Sequence, residues 1–121
     1  IDNDIYNNGQ VGLSIEESAC PTVRGCKIRD GSSCGVSLVG NSRGLLEGNE
    51  ICNNTHPNVY IASGADPMIR RNRIHHSLSC GVTVVEKGLG TLEDNEIYCN
   101  QSIGVYVVTG ASPTMRRNII R

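Results

Sequence analysis

Cysteine and histidine side chains recur in this chain at one fixed separation. Cys52 is followed 23 residues later by His75, and His76 is followed 23 residues later by Cys99. Thiolate and imidazole are ligands that zinc and other soft metals favour, but such sites normally use three or four protein ligands. Because successive residues of a strand point to opposite faces, we expect the two pairs not to converge. This pattern alone therefore predicts no metal site and no cofactor.

Acidic side chains suggest a second chemistry, the cleavage of sugar chains. Glycoside hydrolysis needs two carboxyl groups around the scissile bond, and elimination from uronates uses acids that hold Ca²⁺. Here Asp4, Glu50 and Glu96 are spaced 46 residues apart. The cations Lys27 and Arg73 fall midway between them. Since the carboxylates are dispersed rather than paired, we expect the chain not to be catalytic.

The elements that position these residues follow from a repeat of 23 residues without insertions. Within a repeat, apolar residues alternate with others, as in Gly104-Val105-Tyr106-Val107, which is the period of a strand with one buried face. Each repeat contains three such short strands and three turns. One isoleucine column keeps the period throughout: Ile5, Ile28, Ile51, Ile74, Ile97 and Ile120.

A coil of three short strands cannot bury its apolar residues alone, so it must stack in parallel on its neighbours. The sequence therefore predicts an all-β fold, a right-handed parallel β-helix (a solenoid) that forms a single domain over residues 1–121. We expect it to be an excerpt of a longer β-helix. Its five coils are predicted at 3–25, 26–48, 49–71, 72–94 and 95–117, with a partial coil at 118–121.

Charged residues show a second period of 46 residues, or two coils. Neighbouring strands of a β-helix lie about 5 Å apart, and opposite charges at that distance stabilise the pairing by about 0.2–1 kcal/mol. We expect the alternation of sign to lock the register of the coils. The alternating columns are Arg24, Glu47, Arg70, Glu93, Arg116 and Asp4, Lys27, Glu50, Arg73, Glu96, and Pro21, Pro67, Pro113 alternate likewise with Gly44 and Gly90.

An asparagine column is expected to be structural. Stacked amides at a turn can hydrogen-bond along the helix and satisfy polar groups that would otherwise be buried without partners. The column contains Asn3, Asn49, Asn72, Asn95 and Asn118, and Cys26 interrupts it.

The outward column of the Gly-Val-x-Val strand is the best candidate for a functional surface. It carries Tyr60, Thr83 and Tyr106, and a row that includes Val85 and Val108 lies two residues further on. If both columns face solvent, the two tyrosines stand about 10 Å apart on a flat sheet. Tyrosine offers a rigid ring and a hydroxyl, which suit a peptide or a sugar chain. The alternative is that the strand ends before the valines and turns them inward.

Six cysteines bear on the cellular compartment. Cys34 and Cys80 share a column two coils apart, about 10 Å, which is beyond the ~7 Å Cα separation that a disulfide allows, so we expect buried thiols. Since no two cysteines share a column in adjacent coils, the sequence predicts no disulfide framework. A reducing compartment, cytoplasmic or nuclear, is therefore favoured.

Two segments carry a resemblance to a known family. Gly64-Ala65-Asp66-Pro67-Met68-Ile69-Arg70-Arg71-Asn72-Arg73-Ile74-His75-His76 and Val85-Glu86-Lys87-Gly88-Leu89-Gly90-Thr91-Leu92-Glu93-Asp94-Asn95-Glu96-Ile97-Tyr98 resemble the alternating β-helix repeats of F-box only proteins. A looser resemblance is to the carbohydrate-binding and sugar-hydrolase repeats of pectin lyase-like proteins. Asn58 and Cys26 depart from the pattern, which has Gly and Asn there. The closer resemblance implies a substrate-recognition module of a ubiquitin ligase, whose F-box would lie outside these residues.

Composition narrows the classes of partner. Eleven basic and twelve acidic side chains give a formal net charge of −1, without a basic cluster that could hold a nucleic acid. No apolar run approaches the ~20 residues that a membrane span needs. Four tyrosines, with no phenylalanine or tryptophan, leave a core of aliphatic residues and cysteine.

The interpretation that combines these observations is a non-enzymatic recognition or scaffold domain for a protein or peptide substrate. Ubiquitin-ligase components could associate through other segments. The alternatives are a carbohydrate-binding or carbohydrate-degrading β-helix and a purely structural spacer. Because unpaired strands at the ends of a β-helix template further pairing, we also expect the isolated chain to associate end to end.

Overall fold

The computed structural model describes residues 1–121, and all of its regular structure is β-strand. Sixteen short strands follow one another in the chain with turns between them. Their bounds are β1 Asp4–Tyr6, β2 Leu13–Ile15, β3 Thr22–Arg24, β4 Lys27–Arg29, β5 Val36–Leu38, β6 Leu45–Glu47, β7 Glu50–Cys52, β8 Val59–Ile61, β9 Met68–Arg70, β10 Arg73–His75, β11 Val82–Val84, β12 Thr91–Glu93, β13 Glu96–Tyr98, β14 Val105–Val107, β15 Thr114–Arg116 and β16 Ile119–Ile120. No helix in it could cross a membrane.

Every third strand belongs to the same sheet, so the chain winds as a three-sided coil. Sheet A has the order β1-β4-β7-β10-β13-β16, sheet B β14-β11-β8-β5-β2, and sheet C β15-β12-β9-β6-β3. All pairings are parallel and keep the 23-residue register, as when Ile51 pairs with Ile28 on one side and Ile74 on the other. The predicted right-handed parallel β-helix, with about five coils of three strands, is confirmed.

The core is a bore filled by the inward side chains of the three sheets. Ile51, Ile61 and Ile69 face it from sheets A, B and C of one coil, and each is fully buried. Complete burial of an aliphatic side chain stabilises a fold by about 1.5–3 kcal/mol. At the last coil the same columns are open, since Val107, Met115 and Ile120 are 40%, 47% and 48% exposed.

The predicted asparagine ladder lies at the sharp bend between sheets C and A. The Oδ1 of Asn72 accepts hydrogen bonds from the backbone N–H of Asn49 at 2.9 Å and from its side-chain amide at 3.0 Å. The Asn72 amide in turn donates to the Leu46 carbonyl at 2.9 Å and to Asn95 Oδ1 at 3.1 Å. Asn95 and Asn118 repeat the pattern one coil further on. Each amide thus satisfies backbone groups that the tight bend leaves without a sheet partner.

A second polar ladder, which sequence analysis missed, fills the turn between sheets A and B. Asn54 Oδ1 accepts from the Gly31 N–H at 3.0 Å, and Asn100 Oδ1 accepts from the Ser77 N–H at 3.0 Å. Asn58, in the column where the other coils have glycine, is fully buried, accepts from Asn54 at 2.9 Å and donates to the His75 carbonyl at 2.9 Å. Asn58, which interrupts the glycine column, therefore links Asn54 to the backbone of the next coil at His75 by two hydrogen bonds.

The turn between sheets B and C explains the two-coil period. Gly44 has φ +125° and Gly90 φ +100°, conformations that other residues rarely adopt. A Cβ on Gly44 would lie 2.6 Å from the carbonyl oxygen of Pro21 in the coil below. Proline and glycine must therefore alternate at this position.

The charge columns form only in part as predicted. Glu47 lies between Arg24 at 3.0 Å and Arg70 at 2.7 Å, as the alternation requires. Glu93, however, pairs with Arg117, and Arg116 makes no ion pair. The column itself continues in register, since Glu93 lies opposite Arg70 on one side and Arg116 on the other. The ion pairs expected along it do not form there, because these long side chains also reach diagonal neighbours on the surface.

The second charge column is correct only at its centre. Glu50 lies between Lys27 and Arg73, with N···O separations of 3.4 Å to each. Asp4 pairs with Arg29 at 3.0 Å instead of Lys27, and Glu96 approaches Arg121 at 3.8 Å instead of Arg73. The regular part of both columns thus lies in the middle coils.

Candidate functional site

Two regions of the outer surface carry chemistry. The first is the tyrosine face on sheet B, defined by Tyr60, Thr83, Tyr106, Val85 and Val108. Thr83 pairs in register with Tyr60 on one side and Tyr106 on the other, so the two rings belong to alternate coils. Tyr106 is 44% exposed and Tyr60 is half-buried.

Thr83 does not face solvent as predicted. Its side chain is 7% exposed, because this short residue lies between two tyrosines, and its Oγ1 has no hydrogen-bond partner. A buried hydroxyl without a partner costs free energy. The tyrosine face is therefore two rings on either side of a buried threonine, and not a continuous polar row.

The valine row is only half-exposed. Strand β11 ends at Val84, and the Gly88 N–H donates to the Val85 carbonyl at 2.8 Å, so Val85 already belongs to the following turn. Val85 and Val108 are both of intermediate exposure, and Ala62, in the same column one coil earlier, is 1% exposed. Of the two possibilities left open by the sequence, an exposed valine row is wrong. The strand ends before the valines, and the turn packs them partly against the body of the β-helix.

The polar environment of Tyr60 is acidic. Burial and the nearby Glu86 carboxylate raise the pKa of the Tyr60 hydroxyl. The hydroxyl therefore stays protonated at neutral pH and can both donate and accept a hydrogen bond. A ligand that lies along the two rings would find a hydroxyl at each end.

The second region is the histidine cluster on sheet A, defined by Glu50, Cys52, His75 and His76. Glu50 and Cys52 flank the inward Ile51 on β7, so both point outward, and His75 lies beside Cys52 on β10. His75 Nε2 donates to Glu50 Oε2 at 2.9 Å, since an ionised carboxylate can only accept. This hydrogen bond, with Arg73 and Lys27 nearby, lowers the pKa of Glu50.

His76 joins the cluster although it follows His75 directly. Its φ of 53° places it in the left-handed region just after β10 ends, so the alternation of a strand no longer applies. The Nδ1 atoms of His75 and His76 are 2.7 Å apart, and the rings meet edge to face with centroids 4.9 Å apart. The prediction that the two Cys–His pairs do not converge is wrong for the histidines, whereas Cys99 is exposed and stays outside the cluster.

Three potential ligand atoms meet at this place. The carboxylate oxygen of Glu50, the Sγ of Cys52 and an imidazole nitrogen of His75 all lie within 4.8 Å of one another. Cys52 is 2% exposed and His75 9%, and Tyr98 covers the imidazole with a stacked ring at 4.7 Å. Burial raises the pKa of the Cys52 thiol. The count of two ligands made from the sequence was therefore too low.

Sequence analysis did not identify Glu50 as a potential metal ligand, because it explained this residue as a member of the alternating charge column. A signal was present, since Glu50 and Cys52 are two residues apart and share one face of a strand. All six cysteines are free thiols, and Cys34, expected to be buried, is half-exposed.

The fold and the 23-residue register define a right-handed β-helix. The family model described as right handed beta helix region matches residues 1–120. The chain belongs to this family. No curated protein and no solved structure matches it.

Proposed function

We propose that this β-helix is a non-enzymatic recognition and scaffold domain that binds an extended protein segment along the tyrosine face. Its role would correspond to that of the substrate-binding β-helix in the F-box ubiquitin ligase subunits that its repeats resemble. The observation that carries the proposal is the pair of tyrosine rings on alternate coils, held on either side of Thr83.

The rigidity of the platform supports this function. Strand β11 is held by parallel pairing to β8, which carries Tyr60, and to β14, which carries Tyr106. The inward residues Val59 and Ile61 of β8 and Val82 of β11 are fully buried. A rigid tyrosine gives up little conformational entropy on binding and presents both an apolar ring and a hydroxyl.

Affinity capture from cell extract tests the proposal with the double variant Tyr60→Ala/Tyr106→Ala. The matched control is Tyr6→Ala, since Tyr6 is 51% exposed but lies on sheet A beside Arg29. We expect proteins that bind the parent chain and Tyr6→Ala to be lost with the double variant, at unchanged thermal stability.

Two results would contradict this function. Capture that the double variant retains would show that the tyrosine face is not the binding surface. Binding to a glycan array that depends on Tyr60 and Tyr106, without any captured protein, would favour the carbohydrate-binding alternative.

A further inference from the structure

The histidine cluster has the donor set of a zinc site. Zinc takes thiolate sulfur, imidazole nitrogen and carboxylate oxygen, at about 2.0–2.3 Å from the metal. Cys52, His75 and Glu50 supply one of each within 4.8 Å of one another. Around a tetrahedral ion the ligand atoms would be about 3.3–3.7 Å apart. To reach that geometry, the side chains would have to part the 2.9 Å His75–Glu50 contact and bring the three ligand atoms, now within 4.8 Å, to these separations.

The surroundings of His75 independently favour a ligating role. A zinc-bound histidine donates its other ring N–H to an acceptor, which fixes its orientation and its tautomer. His76 Nδ1 lies 2.7 Å from His75 Nδ1. While His75 Nε2 donates to Glu50, His76 Nδ1 is the donor of this pair, and it becomes the acceptor once Nε2 binds zinc and the His75 proton sits on Nδ1. Tyr98, stacked at 4.7 Å with an interplanar angle of 9°, holds the imidazole plane from the other side. His75 is therefore oriented at both its edge and its face before any ion arrives.

Binding of a divalent ion would exchange one proton and one cation contact. The Cys52 thiol would lose its proton to solvent, the His75 proton would move from Nε2 to Nδ1, and the Glu50 carboxylate and the Cys52 thiolate would face the ion. Arg73, which approaches Glu50 at 3.4 Å, has a second partner in the Tyr98 hydroxyl at 3.2 Å and can turn to it. Lys27 continues to pair with the other carboxylate oxygen, Oε1.

We infer that Glu50, Cys52 and His75 form a zinc site on the outer face of sheet A, with His76 as the residue that positions His75. Three protein ligands leave the fourth position of a tetrahedral ion to water or to a side chain of a bound partner. The site lies on a different sheet from the tyrosine face and does not depend on the function proposed for it.

Zinc and cobalt titrations of the full 121-residue chain, under reducing conditions, test this site. We expect one Zn²⁺ per chain in competition with a chromogenic chelator. Co²⁺ in its place should give the charge-transfer band of a cobalt–thiolate bond. Cys52→Ser should abolish that band, and Glu50→Gln, whose folding is checked by thermal unfolding without metal, should weaken binding at least as much as loss of a positioning residue does.

Matched variants separate this site from adventitious thiol or imidazole binding. Cys99→Ser and His56→Asn remove an exposed cysteine and an exposed histidine outside the cluster, and both should bind zinc as the parent does. His76→Ala should weaken binding about 10–100-fold. His76→Asn should restore most of it, because Asn offers an acceptor oxygen and Asn53 already adopts φ 55° at this turn one coil earlier.

Three outcomes would overturn the inference. The first is a parent chain that binds zinc no better than Cys52→Ser and Glu50→Gln. The second is a cobalt complex without a thiolate band. The third is a loss of affinity in Cys99→Ser as large as in Cys52→Ser, which would place the metal elsewhere.

Discussion

The tyrosine face and the histidine cluster are built by the same rule with opposite results. Each takes the outward position of neighbouring parallel strands, on sheet B and sheet A respectively. On the tyrosine face, two rings flank a hydroxyl that has no partner. In the cluster, Glu50 and His75 are fully engaged with neighbouring polar groups. The strands of sheet B have one outward position and those of sheet A have two, on either side of an inward isoleucine. The residues placed there in each coil decide whether a surface suits a macromolecule or an ion.

Loss of Asn72, in the asparagine ladder, is expected to have the largest effect on the free energy of unfolding. Asn72→Ala would leave two donors of Asn49 without their acceptor and remove the donor to the Leu46 carbonyl. Because each buried unsatisfied group costs about 1–3 kcal/mol, we expect a loss of roughly 3 kcal/mol or more in the free energy of unfolding. Urea denaturation measures it, with Gln10→Ala, at an exposed turn position, as the control. A loss below about 1 kcal/mol would contradict a structural role for the ladder.

Association through the ends would leave both lateral regions free. Met115 and Ile120, at 47% and 48% exposure, lie on the open side of the last coil. We expect the 121-residue chain alone to associate in a concentration-dependent way, and Met115→Lys/Ile120→Lys to reduce this. Light scattering over a range of concentrations measures it, and a parent chain that stays monomeric throughout would show the expectation to be wrong.

A substitution at Thr83 tests whether its buried hydroxyl lacks a hydrogen-bond partner, unlike the polar groups of the histidine cluster. Thr83→Val keeps the shape and removes the buried hydroxyl that has no partner, so we expect stabilisation by about 1 kcal/mol. Thr114→Val, at an exposed position of sheet C, is the control and should change little. Thermal unfolding of the two variants measures the difference. Destabilisation by Thr83→Val would mean that the hydroxyl has a partner after all.

The smallest expected effect concerns Glu47, the counterpart of Glu50 in the other charge column. Arg70 and Arg24 lower the pKa of Glu47 below its ordinary value of 4.5. A lowered pKa in the folded state contributes stability above pH 4.5 that is lost as the pH falls through the folded value. Glu47→Gln should therefore lower the melting temperature near neutral pH, and this difference should shrink in acid. Glu17→Gln, at an exposed position without an ion pair, should show no such pH dependence.

The sequence predicts the fold well because the repeat is strict. With no insertion in five coils, column arithmetic alone gives the neighbours of every strand residue, such as Thr83 between Tyr60 and Tyr106. The same arithmetic correctly places the Asn72 ladder at a bend. Contacts between residues far apart in sequence are usually hard to predict, but here they follow directly from the 23-residue repeat.

Predictions fail where side-chain direction or reach departs from that period. His76 has a positive φ past a strand end, so it turns toward His75 instead of away. Thr83 is buried by the size of its neighbours, which a column of outward positions does not reveal. Glu93 forms an ion pair with Arg117 instead of Arg116, its neighbour in the column, because flexible cationic side chains can reach several carboxylates. Backbone register was thus predictable, whereas turn geometry and side-chain packing required the structure.

Mapping both ligands on one sample tests the central contrast most directly. Amide chemical shifts of the Met115→Lys/Ile120→Lys chain would be followed while Zn²⁺ is added, and separately while a captured partner segment is added. We expect the partner to perturb residues around Tyr60 and Tyr106 on sheet B, and zinc to perturb those around Cys52 and His75 on sheet A. A partner that perturbs only sheet A or sheet C, or zinc shifts centred away from Cys52, would contradict it.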